Sequence, residues 1–196
     1  MEHVNHKAVK SFVMKHHYSG STRGLHISHC FGLYSPDGPF GLPRMIGAMI
    51  YGEPAMPDVS KKYWPKNPSI VLELNRLVLK NNEKNQASIL IGASLKLLPK
   101  PKIIVSYADT AQNHLGVVYQ ATNFMFTGTT KPRTDMAGKD GKHSRHHLGD
   151  RTKRVYRSAK HRYVYILGNK KDKRRLMKDF NYEVMPYPKE KQNDNQ

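Results

Sequence analysis

The stretch 70–126 constrains the fold most: IVLELNRLVL, then NNEKNQASILIGASLKLLPKPK, then IIVSYADTAQNHLGVVYQATNFMF. It reads strand, helix, strand, helix, strand. Ile70–Leu79 is a nearly unbroken apolar run in which only Glu73, Asn75 and Arg76 interrupt, as expected of a strand covered on both faces. Asn85 is the expected N-cap of a helix over Gln86–Leu98, on which Ala87, Leu90, Ile91, Ser94 and Leu98 share one face. Pro99 and Pro101 end that helix. Lys102–Ala108 reads as a strand. Asp109 or Thr110 caps the next helix, with Leu115, Val118, Tyr119 and Thr122 on one side, and Phe124–Phe126 is a third strand. Short strand–helix–strand connections imply parallel pairing. In such sheets the working crevice lies at the carboxyl ends of the strands. Arg76, Asp109 and the helix start near Ser88 are therefore expected around a common space. The fold class is α/β: a mixed central sheet flanked by helices.

Charge decides the class of partner. The 196 residues carry 33 Lys and Arg against 15 Asp and Glu, net +18. Residues 1–130 hold 14 basic and 7 acidic side chains, and residues 131–196 hold 19 and 8. An excess concentrated in one third of the chain points to a polyanion, DNA or RNA first. Cys30 is the only cysteine, which excludes an intramolecular disulfide framework and a Cys-rich zinc site. No apolar run approaches the roughly 20 residues that span a bilayer, and the N-terminus lacks the apolar core of a signal peptide. A cytoplasmic protein with no membrane partner is the expectation.

Before the central block, Val4, Ala8, Val9, Phe12 and Val13 recur at helical spacing. The polar set His16, His17, Tyr18 and Ser19 follows, closed by Gly20. As chemistry this is a dense group of proton carriers; as structure it is a helix end with exposed histidines. His26, His29 and Cys30 lack the second half of a metal motif. Residues 30–34 and 45–52 read as an antiparallel hairpin around the Ser35–Pro39 turn signal. Residues 53–69, with Pro54, Pro57, Pro65 and Pro68, read as loop. There Trp64 either stacks a base beside its lysines or pins the loop to the core.

Residues 128–158 lose apolar periodicity and read as a long basic loop. Lys142, Arg145, Arg151, Lys153, Arg154 and Arg157 are its candidate phosphate contacts, and His143, His146 and His147 fit phosphate better than metal. Arg162–Leu167 returns as a strand. A charged helix over Lys171–Asp179 adds Arg174 and Arg175, and an extended tail ends the chain.

Several motifs occur together in order: HYS at 17–19, LELNRLVL at 72–79, NQAS at 85–88, SYAD at 106–109, YQATNF at 119–124 and RYVYILG at 162–168. In this order and spacing they resemble the Mom family of phage DNA-modification proteins, on a GNAT-like acyltransferase fold, over roughly 16–189. The resemblance implies a GNAT-like catalytic core over 1–130, a basic insertion over 131–160, and a final core strand with basic helix and tail over 161–196. It implies an enzyme that modifies DNA adenine at N6 with a methylcarbamoyl- or carbamoylmethyl-type group and shields phage DNA from restriction, acting in the host cytoplasm. Duplex DNA is the implied partner, with a homodimer allowed. Tyr18, Arg76, Ser88, Asp109 and Tyr119 are the implied catalytic residues. His17, Ser19 and Trp64 are substrate candidates, and Asn85, Ser88 and Asn123 cofactor candidates. An iron ion belongs to the family picture, with His17, Tyr18 and Asp109 as candidate ligands. One departure stands out. The glycine-rich phosphate turn of GNAT enzymes is here Lys80–Asn85, with no glycine, which leaves the donor open between acetyl-CoA and another compound.

The chemistry gives each residue a task and a bland alternative. Adenine N6 is a poor nucleophile because its lone pair is delocalised, so it must be positioned, relieved of a proton and matched with charge stabilisation on the donor. Asp109 is the expected proton acceptor or amine orienter, and alternatively a helix cap. Tyr119 is the implied acid for the leaving group, and otherwise a core aromatic. Arg76, in an apolar strand, requires an anion: Glu73, a cofactor phosphate or a DNA phosphate. Ser88 binds the donor or caps its helix. Tyr18 contacts the base. An ordinary amine acetyltransferase and a non-catalytic DNA-binding protein are the competing readings.

Overall fold

A computed structural model of the chain describes residues 1–22, 24–36, 38–54, 57–136 and 154–189. In chain order the elements are β1 (Glu2–His3), α1 (His6–His16), β2 (Ile27–Ser35), β3 (Arg44–Gly52), α2 (Pro57–Tyr63), β4 (Val71–Leu79), α3 (Gln86–Leu97), β5 (Lys102–Asp109), α4 (Val117–Ala121), β6 (Met125–Thr129), β7 (Arg133–Met136), β8 (Arg154–Arg157), β9 (Lys160–Leu167) and α5 (Lys170–Lys178). The chain forms two compact units, Met1–Ser106 with Tyr165–Tyr182, and Tyr107–Val164 with Glu183–Gln196. Both β5 and β9 run from one unit into the other.

In the first unit the strand order is β1-β2-β3-β4-β5-β9. The expected hairpin is present: β2 and β3 pair antiparallel, and β3 pairs antiparallel with β4. Strand β3 is covered on both faces, which explains its unbroken apolar run, MIGAMIYG. Ala48 and Ile50 meet Val9 and Val13 of α1, together with Cys30 and Val78. On the other face the Tyr51 hydroxyl lies 2.7 Å from Ser94 Oγ on α3, and Ser94 Oγ lies 3.2 Å from Met49 Sδ. A buried hydroxyl pair of this kind is satisfied rather than orphaned, so Ser94 sits in the core at no net penalty. Leu90, Ile91 and Leu95 complete the buried stripe of α3.

The expected parallel pair forms, and it is short. Val71, Leu72 and Glu73 of β4 oppose Ile103, Ile104 and Val105 of β5, and the ladder goes no further. Beyond it a side chain replaces backbone pairing: Ser106 Oγ donates to the Leu74 carbonyl at 3.3 Å. The remainder of β4 runs on without β5 beside it.

Three local expectations are corrected. Residues 53–69 are not all loop, because α2 starts at Pro57, where a fixed φ suits a first helical turn, and keeps Asp58 at its start and Lys61 and Lys62 at its end. Tyr63 and Trp64 then pack inward; Tyr63 stacks with Phe180 and Tyr182 beyond α5, and Lys66 pairs with Asp179 at 2.7 Å. In the second unit, with order β5-β9-β6, the helix after β5 spans five residues, because left-handed Gly116 opens it and left-handed Asn123 follows its end. The 128–158 segment is not all loop either. Arg133–Met136 and Arg154–Arg157 pair as an antiparallel ribbon. The charged helix α5 is as expected and begins with a capping box between Asn169 and Asp172.

Candidate active site

Within the first unit, strand β4 turns Arg76 to its task by a bulge. Tyr51 opposes Leu74 while Ile50 opposes Arg76, so Asn75 is an extra residue. Directly paired residues share a face, and Tyr51 and Ile50 face opposite sides. The bulge therefore moves Arg76 onto the α1 side, where an unbroken strand would have kept it with Leu74. Its Nε donates to the Ser21 carbonyl at 3.2 Å and its Nη1 to the Asn75 carbonyl at 2.7 Å. The expected anion is not what these two donors meet; they meet backbone oxygens, and the guanidinium ties the segment after α1 to the sheet. Asn75 Oδ1 is buried without a hydrogen-bond partner.

That segment holds His17, Tyr18 and Ser19 as one group. The Ser19 N–H donates to His17 Nδ1 at 3.1 Å. Ser19 Oγ lies 2.8 Å from the same nitrogen and 3.4 Å from the Ser21 carbonyl oxygen, the two alternative partners of its one hydroxyl proton. The Tyr18 ring stacks on His17 with centroids 4.4 Å apart and is 61% exposed. A large exposed ring held by an aromatic neighbour can take a planar ligand on its open face.

At the start of α3, Asn85 is not a side-chain cap; it makes no capping bond and adopts φ 66°. This is the left-handed conformation that glycine usually supplies and that asparagine tolerates better than most side chains. The glycine-free turn thus keeps a left-handed residue directly before the helix, where the Gln86 N–H donates to the Glu83 carbonyl at 3.3 Å and the Gln86 Nε2 to the Glu83 carboxylate at 2.5 Å. Ser88 Oγ donates to the Asn85 carbonyl at 2.9 Å, the local contact of its bland alternative.

Within the second unit, Asp109 ends β5 and is gripped from 49 residues further along. Ser158 Oγ donates to its Oδ1 at 2.5 Å, Lys160 Nζ lies 3.4 Å from Oδ2, and the Ala111 N–H donates to Oδ1 at 3.0 Å. Its side chain is 14% exposed. Burial by itself pushes its pKa up, but Ser158, Lys160 and Ala111 together outweigh that and hold the carboxyl below its ordinary value. Asp109 also caps the single turn Thr110–Gln112, so capping and charge presentation coexist. Neither Ser158 nor Lys160 stood out in the sequence; they lie where a featureless basic segment meets a strand.

Tyr119 is 9% exposed and packs against Phe124 and Tyr163 at 5.5 and 5.3 Å, as a core aromatic does. The Tyr163 hydroxyl donates to the Leu115 carbonyl and accepts from Gln120 Nε2 at 3.2 Å, fixing the start of α4. Burial raises the Tyr163 pKa. Asn123 is an exposed turn residue between α4 and β6.

The remaining candidates fall apart by position. Trp64 is 6% exposed with Lys66 Nζ 5.8 Å from its ring centroid, so it pins its segment and offers no face to a base. Arg154 is exposed on β8, and Arg157 is half-buried with Nε 3.9 Å from Asp135. Arg174 and Arg175 are exposed on α5, Arg175 being 3.5 Å from Asp172. Lys142, His143, Arg145, His146, His147, Arg151 and Lys153 lie outside the described residues. Among the described residues no three His, Cys, Asp or Glu side chains gather as a metal site. The Asp109 oxygens are engaged by Ser158, Ala111 and Lys160, and the iron expectation gains no support among the described residues. Among the described residues no helix is long and apolar enough to cross a membrane.

The Mom protein family profile matches residues 1–189. The methylcarbamoylase mom of Escherichia phage Mu is 28% identical over 172 residues, covering 78% of this chain and 70% of that protein. Among solved structures, Arabidopsis thaliana NAA60 in complex with acetyl-CoA aligns with a TM-score of 0.52 at 12% identity, covering 85% of this chain and 97% of that one. The same plant protein in complex with a bisubstrate analogue gives 0.50 at 11%, covering 82% and 91%. At such identity the likeness is one of fold, and the fold is that of the GNAT acetyltransferases.

Proposed function

We propose that this chain, which belongs to the Mom protein family, is a transferase that modifies adenine in DNA at the exocyclic N6 amine. The observation that carries the reading is the family match across 1–189, joined to a carboxylate held ionised at the end of β5. The phage Mu relative is named a methylcarbamoylase, and a methylcarbamoyl-type group is the addition we assign here. The net charge of +18 suits a polyanionic substrate. DNA carrying the group would escape host restriction enzymes that read the unmodified base.

In this reading Asp109 orients the amine. A carboxyl with a lowered pKa is a weak base at neutral pH, so it serves by accepting an N–H hydrogen bond and by countering the positive charge that grows on N6 during attack, and the proton lost from N6 passes to water. Ser158 and Lys160 keep it charged and still. Tyr18, exposed and backed by His17, contacts the base, and Arg76 holds the segment that presents it. The Tyr119 ring belongs to the core, and its hydroxyl is the acid for the leaving group; Tyr119→Phe keeps the packing and removes only that proton.

The donor is of the acyl-CoA class. The fit rests on left-handed Asn85, whose side chain leaves the first turn of α3 uncapped, and on the early end of the β4–β5 ladder. Asn85, Ala87 and Ser88 would hold its phosphates. Bound there, such a donor supplies an activated carbonyl carbon. No step is assigned to iron.

Nucleoside mass spectrometry of plasmid DNA from expressing cells tests the proposal. A heavier deoxyadenosine whose added mass fragments with the base supports it. Unchanged adenine beside abundant soluble protein contradicts it. A second reading, acetylation of a protein or small amine, draws on the same Asn85 turn; acetyl transfer to a peptide amine with DNA untouched would favour it.

A further inference from the structure

The geometry points to the β7–β8 ribbon as the element that grips DNA around the target base, with Tyr156 stacking on a base displaced from the helix. The inference rests on the reading that DNA is the substrate, and it adds a surface, a residue and a division of labour.

The ribbon has two unlike faces. Thr134 opposes Tyr156 and Met136 opposes Arg154, while Arg133 opposes Arg157 and Asp135 opposes Val155. Side chains alternate, so Thr134, Arg154 and Tyr156 share one face and Arg133, Asp135, Val155 and Arg157 the other. On the second face Asp135, Val155 and Arg157 are half-buried and Arg133 is exposed, and Arg157 Nε lies 3.9 Å from Asp135. The first face is exposed, with Tyr156 67% open. Thr and Tyr opposite one another are also good strand formers, so fold economy alone could keep both. What it leaves over is an exposed aromatic, Tyr156, beside an exposed cation, Arg154, on a face that carries no acid, whereas Asp135 lies on the other face with Arg133 and Arg157.

Its place in the chain gives the surface its use. Ser158, whose hydroxyl donates to Asp109, follows Arg157 directly. At the rise of an extended strand, Tyr156 is roughly 7 Å of chain from Ser158. A ribbon of this width fits the major groove of a duplex. An amine inside the stack is reached only when its base leaves the helix, and an exposed aromatic beside a cation is what binds an unstacked base next to a phosphate. Arg157 then acts as an internal strut rather than as a DNA contact.

Fluorescence anisotropy on the full chain tests this. The probes are fluorescein-labelled duplexes, one intact and one with a single mismatched adenine that opens readily. Wild type should bind the mismatched duplex more tightly, and Tyr156→Phe should do the same. Tyr156→Thr, which keeps a strand former, should weaken mismatched binding about tenfold and erase the preference, with an unchanged thermal midpoint. Arg154→Gln should weaken both duplexes alike and reduce the salt slope by about 1. Equal binding by the Phe and Thr variants on both duplexes overturns the inference. The same variants go to nucleoside analysis. If Tyr156→Thr binds like wild type while adenine is modified, the ribbon fails and the transferase stands. If Tyr156→Thr loses the preference while the wild-type chain modifies no adenine, the transferase fails and the ribbon stands.

Discussion

Gly116 should be among the least replaceable residues of the second unit. It sits at φ 75° immediately before α4, and a Cβ there would lie 2.3 Å from Tyr163 Cε2, 2.7 Å from Cζ and 2.9 Å from the hydroxyl oxygen. The ring has nowhere to go: Tyr163 is fully buried, with Tyr119 and Phe126 centroids 5.3 and 5.5 Å away. Gly116→Ala therefore incurs two costs. Left-handed backbone for an L-residue costs about 1–2 kcal/mol. Overpacking a closed core adds about 1–3 kcal/mol. The sum, about 2–5 kcal/mol, lowers the melting temperature by roughly 5–15 °C in a chain of this size. Gly116→Asn separates the terms, since asparagine tolerates the left-handed region but brings the same Cβ. If the overlap dominates, Asn recovers at most about 1 kcal/mol of the loss. Calorimetry on both variants reads this directly. A midpoint within 2 °C of wild type for the Ala variant would refute the packing argument and, with it, the claim that Tyr163 fixes the helix carrying Tyr119.

Three further outcomes follow from the hydrogen bonds and charges. Ser158→Ala should raise the Asp109 pKa toward its ordinary value, read by carbon NMR titration of the carboxyl, and should cost about 1 kcal/mol of stability at neutral pH; an unmoved titration would contradict the hydrogen bond. Burial lowers the pKa of both His29, helped by His3 and Lys102, and His161. Such groups stay neutral in the folded state while the unfolded chain takes up protons below about pH 6.5, so denaturant midpoints should fall between pH 7 and pH 5. Asp109 adds a second loss only below about pH 3.9, since its folded pKa is the lower one. Arg76→Lys replaces a fork with a single ammonium and should speed hydrogen exchange across residues 17–21 with little change in α3; uniform exchange would mean the guanidinium does not hold that segment.

How far the residues alone led depended on whether a pattern was local. The apolar runs of β3 and β4 and the spacing of Leu90, Ile91 and Ser94 belong to each element itself, and those elements are present as expected. The four prolines of 53–69 hid α2, because proline reads as a breaker until it falls on a first turn, as Pro57 does. RTDM and RVYR are too short to register as strands beside a glycine- and lysine-rich segment, although together they make a ribbon. Asp109 was visible because a carboxylate at a strand end is anomalous where it stands. Its partners Ser158 and Lys160 were not, since only the fold brings them across that gap. Asn85 was expected at its helix start for the wrong reason: its backbone, rather than its side chain, suits the position. The bulge at Asn75, which decides the face of Arg76, has no sequence signature at all.

The most direct test of the central claim compares nucleosides from DNA of cells expressing the wild-type chain with those from cells expressing Asp109→Asn, alongside the duplex affinity of both proteins. The substitution keeps the shape of the side chain and removes its charge. The account predicts a heavier deoxyadenosine with the wild type alone and DNA affinity within about threefold for the two, because Asp109 is not a phosphate contact. Full modification by Asp109→Asn would contradict the role given to this carboxylate, and unmodified adenine with both proteins would contradict the transferase itself.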